Sequence, residues 1–294
     1  MPLFDAYIIV DWSAANARKT GRDSIWYTVY RREDPYRRRR ALANPATRDC
    51  ATTSLSNILA RLVKSGRRVL VGFDFPFGYP TGTAMRLGFP GLPWRHMWQS
   101  LADRLVDDHT NKNNRIDVAE GLNQTLSSEP FPFWGNVREE TRQYLRRRGR
   151  RPHGVNDLSE WRLCDIRDRT TSSVWQLAGA GSVGSQVLTG IPRVWQLRCD
   201  PRLALVTHIW PLETGLSYDS RPQVILAEVY PPLIKPISSP NKPKDAGQVV
   251  ALSRYFADLD EDGRLGALFR SNEDLASAEI SAVEQEEAWI LDVT

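Results

Sequence analysis

The sequence predicts an α/β fold: a mixed sheet with flanking helices, interrupted by a large, mostly helical insertion. Three observations carry this. Short apolar runs bounded by turn residues recur at Ala6–Val10, Val69–Phe73 and Val224–Ala227, as strands buried on both faces do. A segment of helical spacing, Thr53 to Lys64, places Leu55, Ile58, Leu59, Leu62 and Val63 on one stripe. Between the second and third runs the character changes, and residues 81–200 are rich in Trp, Pro, Gly and Arg.

The elements follow in order. Residues 6–13 and 24–32 read as strands, the second by its alternation, with a third strand expected near 36–42. The helix over 53–64 is closed by Gly66, and residues 68–75 form the next strand. Helical patterns in the insertion fall near 95–108, 115–126, 136–148 and 182–198. Strands return at 203–210 and 223–230, followed by helices over about 245–257 and 273–288 and a last strand over Ala288 to Val293. The predicted organisation is a core of residues 1–80 and 201–294, with residues 81–200 inserted as a cap.

The 294 residues are 41% hydrophobic, enough to bury a core. No apolar stretch approaches the ~18–20 residues of a membrane span, and Met1–Asp5 lacks a basic flank before an apolar core. A soluble, cytoplasmic protein without a membrane partner is expected. Cys50, Cys164 and Cys199 are far apart and form no Cys-x-x-Cys pair, which argues against a zinc ribbon or a disulfide framework. The 33 arginines against 6 lysines read first as the codon bias of a GC-rich, bacterial genome and second as a phosphate-binding signal. The net charge of +4 hides an asymmetry: residues 258–294 hold 11 acids and 2 bases, and the rest hold 37 bases against 24 acids. Two arginine clusters, Arg37 to Arg40 and Arg146 to Arg151, are either phosphate contacts or a solvated surface. Trp94, Trp98, Trp134, Trp161, Trp175 and Trp195 all fall in the insertion. Aromatic faces among arginines suit base stacking, but a core role is favoured.

An acid stands where each buried strand stops: Asp11, Asp74 and Glu228. Asp245 follows Lys244 at the head of a helical pattern. Ligands of open α/β sheets bind in the crevice beyond the carboxyl ends of the strands. Taken singly, each acid is an ordinary turn or capping residue. Converging there, they would make a site for a hard cation, Mg²⁺ or Mn²⁺. Without the insertion the order is β-β-β-α-β and then β-β-α, an RNase H-like succession with the acids at matching places. Two metals about 3.5–4 Å apart can clamp the attacking and leaving oxygens of a phosphodiester. Metal-dependent phosphodiester hydrolysis, with nucleic acid or a nucleotide as substrate, is therefore the expected function. Asp11, Asp74 and Asp245 are the expected metal ligands, Glu228 ligates or orients the attacking water, and Ser13, Lys244, Asn114 and Arg115 are candidate substrate contacts.

The motifs Val10-Asp-Trp-Ser13, Gly72-Phe-Asp-Phe-Pro-Phe-Gly-Tyr-Pro80, Ala227-Glu-Val-Tyr-Pro231 and Lys244-Asp-Ala246 resemble the motif set of a group of predicted RNase H-like nucleases. The resemblance covers roughly residues 5–80 and 203–260 and the closing Trp289-Ile-Leu291. It implies an RNase H-like core with catalytic acids at Asp11, Asp74, Glu228 and Asp245. The chain departs from the group where a second acid often follows Lys-Asp by some four residues; here Gly247, Gln248 and Val249 stand. The insertion resembles a bacterial subgroup through Asn113-Asn-Arg115, Pro132-Phe-Trp-Gly135 and Gly179–Ser185. Similar sequences are sometimes labelled molybdopterin-guanine-dinucleotide synthesis proteins, a label that no chemistry in the chain supports.

Two other classes remain open. A nucleotide-binding or phosphotransfer protein of actin-like architecture needs glycine hairpins for phosphate, and Ser13-Ala-Ala-Asn16 is a poor version of one. A non-catalytic RNase H-like binding module would keep the fold without the chemistry. Gly179-Ala-Gly-Ser-Val-Gly184 matches a dinucleotide fingerprint but lacks its flanking strand and distal acid, so a tight turn opening a helix is expected. Asp258–Gly263 begins like a calcium loop, but Phe269 occupies the twelfth position, so a helix-ending turn is expected. His96, His109, His153 and His208 show no zinc spacing, and Glu213 is a reserve candidate for the acidic cluster.

Overall fold

The computed structural model describes residues 1–32, 41–136, 140–168, 170–237, 242–270 and 274–293. The cluster Arg37 to Arg40 and most of the expected third strand lie outside them. The fold is α/β. The elements are β1 (Ala6–Asp11), β2 (Trp26–Arg31), β3 (Ala41–Ala43), α1 (Arg48–Lys64), β4 (Val69–Phe73), α2 (Thr83–Arg86), α3 (Pro93–Arg104), α4 (Arg115–Ser127), α5 (Leu163–Arg167), α6 (Gly184–Arg198), β5 (Thr207–Ile209), β6 (Val224–Val229), α7 (Lys244–Glu261), α8 (Ser277–Ala282) and β7 (Ile290–Leu291).

The strands form one mixed sheet in the order β3-β2-β1-β4-β6-β5, with β7 paired to the end of β6. The β1–β2–β3 meander is antiparallel, whereas β1–β4, β4–β6, β5–β6 and β6–β7 are parallel. The expected parallel pairing of the first and fourth strands is thus present. Alternation divides each strand between two cores. Ile8, Val10, Val71, Phe73 and Leu226 face one, and Tyr7, Ile9, Leu70, Ile225 and Ala227 face the other.

The first core is covered by α1, which buries Ala51, Leu55, Leu59 and Leu62. Its start is fixed by Thr47, whose hydroxyl accepts the Cys50 N–H at 3.2 Å. Helices α3 and α6 join the same core, so residues 81–200 are continuous with the sheet's packing. The indole N–H of Trp98 donates to Phe77 O at 2.7 Å. A Cβ on Gly190 of α6 would lie 2.4 Å from the Phe75 ring, so glycine lets this helix close on the sheet. Trp94, Trp98 and Trp175 are buried there, and Trp134 and Trp195 pack against the same cluster; these are core residues. The second core is covered by α7, whose Val249, Leu252 and Phe256 meet Tyr7, Ile9 and Tyr30. Burial of each such side chain contributes about 1.5–3 kcal/mol.

Two expectations are corrected. The helix near 136–148 is absent among the described residues there. Its apparent period comes from polar residues that pair elsewhere: Arg142 binds Asp117 and Glu120 on α4, and Asn123 donates to Phe133 O and Tyr144 O. Without an apolar stripe, nothing holds the segment helical. The helix expected over 273–288 is the short α8 followed by a π-turn over Val283–Glu287. That turn clamps the chain leaving β4. Glu286 accepts the N–H groups of Gly82 and Ala84, and Glu287 accepts those of Thr81 and Leu163. A Cβ on Gly78 would lie 2.2 Å from Glu286 O, which explains the glycine that closes the Asp74–Gly78 motif.

Candidate active site: a carboxylate pair at the sheet edge

Asp11 ends β1, and Asp74 follows the last residue of β4. The parallel register sets Val10 beside Phe73, so the next residues, Asp11 and Asp74, stand side by side on one face. Asp74 N donates to Val10 O at 3.2 Å, and an Asp74 carboxylate oxygen accepts the Trp12 N–H at 2.6 Å. The two carboxyl groups are close enough for each to act on the other's titration. Burial raises both pKa values. Asp74 is pushed up to about 7, against the pull of the Trp12 amide and the hydrogen bond from Asp11. Asp11 is raised well above the usual range by burial, and then by the charges of Asp74 and Asp245. Two crowded carboxyls that keep one proton between them are the expected result of like charges in a site with little water.

Asp245 enters from the first turn of α7. Its carboxylate accepts the Asp23 N–H at 3.0 Å. Asp23 adds its charge to Asp11 and holds a left-handed conformation, φ 51°, in the connection from β1 to β2. Lys19 pairs with Asp23 at 3.6 Å. These groups line a polar cleft of about 480 Å³ that also admits Ser13 and Arg115. Its far wall is the turn that opens α6. There Gly179 and Gly181 take positive φ of 106° and 71°, and Gly184 lies against Val174 O and Gln176 O, where a Cβ would be 2.4 Å from the nearer. The Gly-x-Gly-x-x-Gly run is therefore a tight turn opening a helix, as its context predicts.

The structure brings Asp11, Asp74, Asp245, Ser13 and Arg115 to this edge and places the other candidates elsewhere. Glu228 stands apart from the acidic cleft. It lies in register with Phe73 and Val10, so it points to the opposite face from Asp11 and Asp74. There it is buried in a bidentate pair with Arg162, both contacts 2.7 Å, and accepts the Phe77 N–H at 2.9 Å. Asp165 completes that buried pair from α5. The oxygens of Glu228 are so occupied, while its side chain borders a cavity that Asp74 also lines. Asn114 closes a turn, accepting Val106 N–H at 2.8 Å and donating to Arg104 O at 3.0 Å. Lys244 is exposed at the start of α7, outside the cleft lining. Glu213 is held by Arg198 at 2.7 and 2.8 Å.

Two contributors escape the sequence. Asp23 takes the place expected for Glu228 as the fourth acid, and only the Gly21-Arg-Asp23 turn signal marks it. Arg48 is fully buried at the start of α1. It donates to Ser13 O at 3.0 Å and Ala15 O at 2.9 Å while paired with Asp107 at 2.5 Å, so it fixes the loop that forms one wall of the cleft.

Among the described residues, no group of three or more His, Cys, Asp or Glu side chains has the arrangement that holds a metal ion. The donor type nevertheless suits a hard divalent cation, since carboxylate oxygens are its usual ligands. Raised carboxyls favour the protonated form, so a cation would compete with protons for them. No helix among the described residues is long and apolar enough to cross a membrane. No protein-family model matches the chain, and comparisons with curated proteins and with solved structures give no match.

Proposed function

We propose that this chain is an RNase H-like, cation-dependent phosphodiester hydrolase acting on nucleic acid or a nucleotide. The observation that carries the reading is the Asp11–Asp74 pair on adjacent parallel strands, with Asp245 and Asp23 gathered around it in a polar cleft. The antiparallel β1–β3 meander followed by a parallel β4 supports the fold assignment. Asp11, Asp74 and Asp245 would hold Mg²⁺ or Mn²⁺, which when bound supplies charge neutralisation at a phosphoryl oxygen and a more acidic water.

The chain's own groups do the rest. Asp74 is held in place by the Trp12 amide, and Asp11 holds or releases the shared proton beside it. Lys19 and Arg115 bring positive charge to the cleft that takes the phosphate. Residues 81–200 serve as the cap, because the turn that opens α6 forms the wall facing the acids.

The test is cleavage of a panel of single-stranded and structured DNA and RNA with Mg²⁺ or Mn²⁺. Asp74→Asn keeps the shape and removes the charge, so it should abolish cleavage in a folded protein. The absence of a pre-arranged metal cage among the described residues favours a second reading, a non-catalytic binding module. Salt-sensitive nucleic-acid binding without turnover across the panel would select it. ATP binding without nucleic-acid affinity would select an actin-like protein instead.

A further inference from the structure

A second cavity of about 260 Å³ adjoins the acidic cleft. Ser182 and Gln186 line both chambers. Asp74 opens on the second chamber and Asp11 on the first, so the side-by-side pair stands on the divide. The chambers differ in chemistry. The first is lined mainly by charged and polar groups. The second combines apolar wall from Pro76, Val183, Val229, Pro231 and Ile290 with polar groups that include Ser172, Ser182, Gln186 and Gln248 and the charged Arg162, Asp165 and Glu228. Apolar walls with a small number of convergent polar groups are the usual form of a pocket for an organic ring system.

One polar group is distinctive. Gln248 is 9% exposed, sits one turn beyond Asp245 on α7, and lines this chamber. Its side-chain amide has no hydrogen-bond partner among the described residues. The side chain is largely covered, yet its amide opens on the chamber, where its donor and acceptor are available to a ligand. Gln186, on the opposite element α6, spends one N–H on Trp12 O at 3.1 Å and keeps its carbonyl oxygen. Arg162, Asp165 and Glu228 are paired with one another, which leaves the two amides and the Ser172 and Ser182 hydroxyls to read a ligand.

We infer that this chamber binds a nucleobase, read through the Gln248 amide, while the attached phosphate lies at the Asp11–Asp74 divide. A glutamine amide presents a donor and an acceptor in one plane, which matches the adjacent acceptor and donor on a base edge. The volume admits a single ring system, so the site takes one nucleotide unit at a time. The inference rests on the phosphodiester reading for the position of the phosphate, and on Gln248 and the chamber for the base.

The probes are adenosine, guanosine, cytidine and uridine, none of which carries phosphate, titrated calorimetrically into the full chain. At least one should bind. Gln248→Leu should weaken it about tenfold or more, the scale of one lost amide–base contact. Gln248→Glu, which replaces the donor by an acceptor, should shift preference toward bases that offer an exocyclic amine, a change that a merely structural glutamine would not produce. Ser172→Trp, placed on a separate loop that lines the chamber, should block binding without touching α7. The inference is overturned if no nucleoside binds the wild-type protein at millimolar concentration. It is equally overturned if Gln248→Leu and Ser172→Trp both retain wild-type affinity. Hydrolysis of bis(4-nitrophenyl) phosphate with Mn²⁺, a diester without a base, is measured on the wild-type protein in parallel. Turnover without nucleoside binding refutes the base pocket and leaves the hydrolase reading standing; nucleoside binding without turnover does the reverse.

Discussion

Replacing Asp74 by Asn should make the protein more stable at alkaline pH while it abolishes activity. Asp74 is half-buried beside Asp11, and its pKa lies at about 7 against an ordinary 3.8. A raised pKa means that the folded chain holds the proton more tightly than the unfolded one. The stabilisation from that proton is complete below about pH 4 and is lost as pH rises through about 7. At about 1.4 kcal/mol per tenfold in proton affinity, the swing is about 4 kcal/mol, reduced to about 2–3 by partial exposure. Asparagine never has to ionise. Its oxygen still accepts the Trp12 N–H, and its amide can donate to Asp11. The variant should therefore exceed wild type by about 2–3 kcal/mol at pH 8.5, by about 1 kcal/mol at pH 5 and by nothing near pH 3. Guanidinium unfolding in chelator-treated buffer, read as a midpoint change at constant m-value, measures the difference. A variant less stable than wild type at pH 8.5, or an equal gain at all three pH values, would refute the argument that the pair is held together against its own charge.

Mn²⁺ affinity measured calorimetrically should fall steeply below pH 7, with proton release on binding, because the cation competes for the raised carboxylates; equal affinity in Asp11→Asn would remove Asp11 from the site. Arg162→Met should destabilise by about 3–5 kcal/mol in denaturant melts, since it strands Glu228 and Asp165 in the core, and adding Glu228→Gln should restore part of that loss. Gly78→Ala should prevent normal folding or cost several kcal/mol, because its Cβ meets the backbone at Glu286. Gly121→Ala, on an open stretch of α4, should instead stabilise by about 0.5–1 kcal/mol, and comparable effects at the two sites would contradict the close approach. Asp260→Ala should lower the denaturation midpoint markedly, since Asp260 accepts the N–H groups of Leu3 and Phe4 and the Tyr7 hydroxyl; an unchanged midpoint would mean that this anchor carries no stability.

The sequence by itself determined the strands, the helices that cover them and two members of the pair. The runs ending in Asp11 and Asp74 are continuous and apolar, so a sheet buried on both faces was legible, and an acid just past each run had one crevice to enter. Asp245 was legible for the same reason, as the first acid of an amphipathic helix. Register was not legible. Glu228 ends a run as apolar as the others, yet it aligns with Phe73 and not with Asp74. One residue of offset turns a side chain to the other face of a sheet, and nothing local in the chain sets that offset. Arg162, Asp23, Arg48 and Gln248 were silent because each acts through partners remote in sequence: Arg162 meets Glu228 across 66 residues, and Asp23 meets Asp245 across 222. The segment near 136–148 misled because its polar residues repeat with a helical period while their partners lie on α4. Local pattern fixes which side chains are buried. Which buried charges meet, and which amide is left facing a cavity, is decided only when distant segments close on the same sheet edge.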